Sequence, residues 1–182
     1  MKALVVFACI ASLVASSLGQ DTFSWRYYRP GNTGIQGDIC ETLWVAPDGN
    51  PWIGGYDAGF EEGGIAKFIQ SENRWQNLSN VDYPVIGHPE NTGTARISDI
   101  DIDANGNMWM ATGTGGLFYN PSAGPSSLRR FGADNSLIPG GWNRGVEVAP
   151  DGTVWFSSYS RVWGSGGIAR YTPATNQWLV FE

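Results

Sequence analysis

The feature that most restricts this chain is a motif it uses three times. Aligned on a tryptophan, residues 43–55 read LWVAPDGNPWIGG, residues 100–112 read IDIDANGNMWMAT, and residues 146–158 read VEVAPDGTVWFSS. Trp52, Trp109 and Trp155 coincide, 57 and 46 residues apart, and Gly49, Gly106 and Gly152 coincide three places earlier. A double glycine follows each time: Gly63-Gly64, Gly115-Gly116 and Gly166-Gly167. Two copies then continue alike, GGIAKFIQSENRW (63–75) and GGIARYTPATNQW (166–178), while the middle copy diverges into GGLFYNPSAGPSSLRRF. Self-similarity at a spacing of ~40–50 residues marks a unit that cannot bury its apolar faces alone and must stack on its neighbours.

Each unit reads as four short strands, a to d. Strand a alternates apolar residues: Leu43 and Val45, Ile100 and Ile102, Val146 and Val148. Strand b carries the tryptophan, strand c starts at the double glycine, and a polar turn leads to strand d with Trp75 or Trp178. No stretch sustains an i, i+3, i+4 apolar pattern, and short β-branched and aromatic runs lie between Gly, Pro, Asn and Asp clusters. The fold class is therefore all-β, built of four-stranded antiparallel propeller blades over residues 39–78, 96–131 and 145–182. Between strands a and b, Asp48-Gly49, Asn105-Gly106 and Asp151-Gly152 predict two-residue type I′ hairpins, which need φ > 0 at both central positions.

The order (D/N)-G-x-x-W, then G-G-I-A-(K/R)-(F/Y), then a turn and a tryptophan resembles the two-component-regulator type of β-propeller repeat. Streptogramin lyase-like propellers share the style, and the turn between Tyr171 and Trp178 also resembles a kelch repeat. The resemblance spans residues 39–182. It implies a propeller and, through the regulator propellers, an extracellular sensor part. The Trp-Asp class of propeller is not indicated, because no Gly-His or Trp-Asp pair stands where that class needs it.

Three blades do not close a ring, which ordinarily takes four to eight. The stretch FSWRYY (23–28) reads as an orphan strand d with no a–b–c set to complete, since the third blade has its own d strand, QWLVFE. The expectation is part of a larger propeller, or self-association through open blade faces, with two chains making a ring. An arc stable alone would leave apolar faces and strand edges in water.

Residues 1–19 show the basic, apolar and small-residue order of a secretory signal, and no later run approaches the ~20 apolar residues of a membrane span. The expected location is extracellular or periplasmic, without membrane insertion. A formal net charge of −6 argues against nucleic acid as partner. If Cys9 leaves with the signal, Cys40 has no intrachain disulfide partner, and its place beside a strand start predicts a small buried hydrophobe.

No catalytic set emerges. His88 is the sole histidine and lies in a linker outside the repeat. No G-x-S-x-G motif and no metal spacing of His and Cys occurs. Residues 101–106, DIDANG, begin like a calcium loop, but position twelve, which must be Glu in an EF-hand, is Thr112. Asp99, Asp101 and Asp103 nonetheless share one side of strand a by alternation, so a bound calcium ion is an expectation there. Other cofactors are not indicated.

The copies differ most in their b–c and d–a loops, which leave a propeller on one face. These present Tyr56, Phe60, Tyr83, Trp142, Tyr159 and Trp163 beside Asp57, Glu61, Glu62, Arg144 and Arg161. Aromatic plates with polar neighbours suit an oligosaccharide or a protein segment. The expected function is a secreted recognition module binding such a ligand on its loop face. The alternatives are a lyase-like or hydrolase propeller enzyme and a structural assembly subunit. Asn77-Leu78-Ser79 is a glycosylation sequon.

Overall fold

The computed structural model describes residues 26–35, 37–59, 62–87, 95–159 and 166–181. Three four-stranded antiparallel meanders make up the chain. The first is β1 (Ile39–Val45), β2 (Pro51–Tyr56), β3 (Gly63–Ile69) and β4 (Arg74–Ser79). The second is β5 (Ile97–Ile102), β6 (Met108–Thr112), β7 (Gly115–Tyr119) and β8 (Arg129–Phe131). The third is β9 (Trp142–Val148), β10 (Val154–Tyr159), β11 (Gly167–Thr172) and β12 (Gln177–Phe181). Helix is confined to one α-turn, α1 (Pro30–Thr33), and three single 3-10 turns among the described residues. The sheets are propeller blades, and they form an open arc rather than a ring: β5 packs against both β1 and β9.

The strand alternation places one set of side chains on each junction. Between the first two blades lie Trp52, Ile65 and Leu78 from one side and Ile97, Ile100, Met108 and Met110 from the other. Between the second and third lie Trp109 and Ala111 against Val146, Phe156, Ala169 and Tyr171. Burying each large side chain of this kind contributes about 1.5–3 kcal/mol. The junctions, and not any single sheet, therefore carry the core.

The a–b turns differ from the expected type. Gly49 donates to the Ala46 carbonyl at 2.8 Å, and Ala46 donates to the Asn50 carbonyl at 3.0 Å. The same pair of bonds recurs at Asp103–Asn107 and Ala149–Thr153. Only the glycines have positive φ, near 80° at Gly49, Gly106 and Gly152, while Asp48, Asn105 and Asp151 do not. This is a type I turn followed by a left-handed glycine, a three-residue hairpin loop. Pro47 and Pro150 suit this turn, since its second position takes the φ that proline fixes, and the middle copy makes the same turn with Ala104 there.

Of the strand expected over residues 23–28, residues 23–25 lie outside the described residues. Residues 26–29 join no ladder. Tyr28 instead lies against Phe68 and Trp75, with ring centroids 5.1 and 5.4 Å away, and Ile35 packs on Ile53 and Ala66. The segment thus covers the outer strands of the first blade, on the side away from the second, and leaves Leu43 and Val45 exposed. Cys40 is exposed rather than buried, yet partial desolvation raises its thiol pKa above the ordinary value, which makes it a weak nucleophile at neutral pH.

Candidate functional site

The a–b turns and the b–c loops lie at opposite ends of the blades. In the first blade Val45 pairs with Pro51 beside the turn, and Ile39 pairs with Tyr56 at the far end. The loop end is where the sequence suggests most ligand-binding residues. Phe60, Glu61, His88, Arg161 and Trp163 lie outside the described residues; the rest divide into packed and accessible groups.

Tyr56 is buried, with the Arg96 guanidinium 5.1 Å from its ring centroid. Arg96 in turn forms a two-pronged ion pair with Glu41, whose hydrogen bonds raise the arginine pKa. Tyr56 is thereby fixed as part of the frame. Asp57 closes its own loop, accepting from the backbone N–H of Gly59 at 3.1 Å and of Glu62 at 2.9 Å. Tyr83 packs on the cluster between the first two blades. Trp142, Arg144 and Tyr159 are different. Trp142 and Tyr159 are cross-strand partners, Tyr159 is 52% exposed, and the Arg144 guanidinium lies 5.4 Å from the Trp142 ring centroid. These three form one accessible cluster at the loop end of the third blade.

The carboxylates of strand a do not converge on one another. Asp99 accepts from the Val146 N–H at 3.1 Å and Asp101 from the Val148 N–H at 2.6 Å, both across the junction on β9. Asp103 turns inward on its own hairpin, taking the N–H groups of Asn105 and Asn107 at 2.9 and 3.0 Å and the Trp109 indole at 3.3 Å. Among the described residues no group of three His, Cys, Asp or Glu is arranged to hold a metal ion. Asp99 and Asp101 instead satisfy the inner-edge donors of the next blade, which no fifth strand pairs. Asp101→Ala is expected to lower stability by about 1.5–3 kcal/mol, the scale of a charge-assisted hydrogen bond. Urea melts would measure this loss, and millimolar calcium should leave the wild-type midpoint unmoved.

The turn end holds a groove that the sequence does not announce. It spans the first two blades with a volume of about 730 Å³ and is lined by Trp44, Trp52, Asp48, Lys67, Asp101 and Asp103, with Pro121 from the c–d turn of the second blade. Trp44 is half-buried and packs on the junction. Lys67 lies 5.4 Å from the Trp52 ring centroid and is paired with Asp48 at 2.9 Å. That lysine, with Asn50, lowers the Asp48 pKa to about 2, so Asp48 stays an anion and a hydrogen-bond acceptor. The one signal in the sequence is Trp44 itself, which breaks the pattern at a position held by Asp101 and Glu147 in the other copies. The sequon offers no comparable site: Ser79 is buried and its hydroxyl donates to Asp82 at 3.1 Å.

No protein-family model matches the chain, and no curated protein matches it. Solved structures do. The extracellular domain of a protein described as the hybrid two component system BT3049 from B. thetaiotaomicron superposes with a TM-score of 0.62 at 20% identity, over 87% of this chain and 19% of that one. The extracellular domain of the one component system BT4673 from the same organism gives 0.59 at 13% identity, over 84% and 18%. PorZ, a bacterial surface component of the type-IX secretion system of Porphyromonas gingivalis, gives 0.51 at 18% identity, over 79% and 19%. The chain therefore spans about a fifth of the length of each, and what it shares with them is the blade architecture.

Proposed function

We propose that this chain is part of an extracellular or periplasmic recognition module that binds an oligosaccharide or an extended protein segment, and that it serves as the sensor portion of a longer protein. The turn-end groove supports the reading most directly. Its volume falls in the range of small-ligand sites, and it sets an aromatic plate, Trp44, among fixed acceptors and a cation. Lys67 gives one N–H to Asp48 and has others to offer a hydroxyl or carbonyl. The extracellular domains among the structural neighbours and the signal-like start of the chain support the location.

The accessible cluster of Trp142, Arg144 and Tyr159 supports a second reading, with the ligand at the loop end. A glycan array and an extended-peptide library, each read with wild type, Trp44→Ala and the pair Trp142→Ala and Tyr159→Ala, separate the two. Loss of the groove tryptophan is expected to weaken binding roughly tenfold or more, the scale of one stacked ring with its buried area. The loop-end pair should bind as wild type. The reverse pattern moves the site to the loop end, and a blank on both panels removes the recognition reading.

A further inference from the structure

The two blade junctions are tied differently at the turn end. Between the second and third blades Asp101 accepts the Val148 N–H at 2.6 Å and so latches β5 to β9. In the first blade Trp44 stands where Asp101 stands in the second, and it cannot accept. The Ile102 N–H, the counterpart of Val148, goes instead to the carboxylate of its own neighbour Asp101 at 2.8 Å. The turn-end groove opens at this level, between strands that no such latch joins. One wall is a row across three strands, since Trp52 is the cross-strand partner of Trp44 on one side and of Lys67 on the other. Ile102, Met108 and Pro121 add apolar lining.

The carboxylates decide what such a groove can hold. Asp48, Asp101 and Asp103 line it, against Lys67 as the one cation among its described lining residues. A carboxylate offers about four lone-pair sites. Those of Asp103 are taken up by the Asn105 N–H, the backbone and side-chain N–H groups of Asn107 and the Trp109 indole. Asp48 holds two donors from Asn50 and one from Lys67. Few vacant acceptor sites therefore remain for sugar hydroxyls, which need them one by one. The negative charge remains, because neutral donors do not cancel it and Lys67 offsets only one carboxylate. A cation responds to that field without needing a vacant lone pair. Lys67 itself displays the chemistry: its ammonium lies 5.4 Å from the Trp52 ring centroid and 2.9 Å from Asp48. Trp44 is a second ring in the same row, and Asp101 and Asp103 line the same groove.

Taking the groove as the ligand site, on which this rests, we propose that it receives a basic side chain, Lys or Arg, of an extended protein segment, with the charged head on Trp44 among the carboxylates. Such a side chain is apolar along its stem and charged at its tip. It matches a groove that mixes Ile102, Met108 and Pro121 with carboxylates, and a cation on a tryptophan face is the favoured pairing of its kind. The volume of about 730 Å³ leaves room for the residues on either side. An anionic sugar or an acidic segment meets repulsion there.

Calorimetric titration of the full chain tests this, with end-blocked peptides of alternating Ala–Lys, Ala–Gln and Ala–Glu and with neutral maltohexaose as probes. The Ala–Lys peptide should bind about tenfold tighter than Ala–Gln, and Ala–Glu should not bind. Raising salt from about 50 to 500 mM should weaken the Ala–Lys peptide roughly threefold or more. These arms use wild type alone, so they stand even if a variant folds poorly. Lys67→Gln removes the resident cation and releases Asp48, so it should tighten the Ala–Lys peptide roughly threefold; a ligand held by the lysine's own N–H groups would weaken instead. Equal binding of Ala–Lys and Ala–Gln, no response to salt, or a Lys67→Gln variant that binds Ala–Lys no tighter overturns the proposal. So does an Ala–Lys peptide that does not bind: maltohexaose or a glycan-array hit then leaves the recognition reading standing, and blanks throughout remove both.

Discussion

Gly115→Ala is expected to cost about 3–5 kcal/mol, among the largest effects of any single substitution here. Two observations set the size. Gly115 has φ of +155°, a region L-residues rarely enter, and a Cβ there would sit 2.0 Å from the backbone carbonyl oxygen of Phe131 on the neighbouring strand. Neither partner can give way, because both belong to the β7–β8 ladder. Gly64 in the first blade repeats the arrangement, with φ of +152° and 2.0 Å to the Leu78 carbonyl oxygen. Gly167 occupies the same register position, but its φ lies outside that region and its Cβ would be 2.7 Å from the Phe181 carbonyl oxygen. Urea denaturation should therefore rank Gly115→Ala and Gly64→Ala well above Gly167→Ala. For a domain of this size the first two should lower Tm by roughly 10 °C. Equal losses at all three would mean that the glycines serve some purpose other than strand approach.

That ranking also shows what the sequence can and cannot reveal. The double glycines line up in the text, but the pairing aligns Gly64, Gly115 and Gly167, so the middle copy is shifted by one residue. Blades are legible because alternation with period two must bury one face of each strand. The turn type is not legible from the Asp-Gly and Asn-Gly pairs, because a left-handed glycine serves both candidate turns; Pro47 and Pro150 favour the observed one, and Ala104 permits it in the middle copy. Tyr56 and Tyr83 look like ligand plates because a loop aromatic and a junction aromatic carry the same letters. Only the Arg96–Glu41 pair, 55 residues apart in sequence, distinguishes Tyr56. Asp99 and Asp101 stand out in the sequence as unusual, but their partners are backbone N–H groups 47 residues away, and a backbone donor leaves no trace in residue identity. Trp44 escapes notice for the opposite reason: a tryptophan within a strand reads as core.

Trp109→Ala is expected to cost about 3–5 kcal/mol, as removal of a large aromatic from a core does. The ring is 3% exposed and touches Phe118, Phe131 and Tyr171, with centroids at 4.9, 5.9 and 5.8 Å. Those neighbours come from two blades, so no single strand can shift to fill the void. Its indole N–H also ties the Asp103 carboxylate at 3.3 Å, and that bond is lost as well. Trp155 is the same residue at the same repeat position, but it is half-buried, with Phe181 and Arg170 against its ring. In dilute protein Trp155→Ala should cost about 1 kcal/mol, in keeping with a partly exposed site. The gap between the two is the stability that one covering blade confers. Urea melts of both variants would read this gap directly, and equal costs would mean that the covering blade adds nothing at this position.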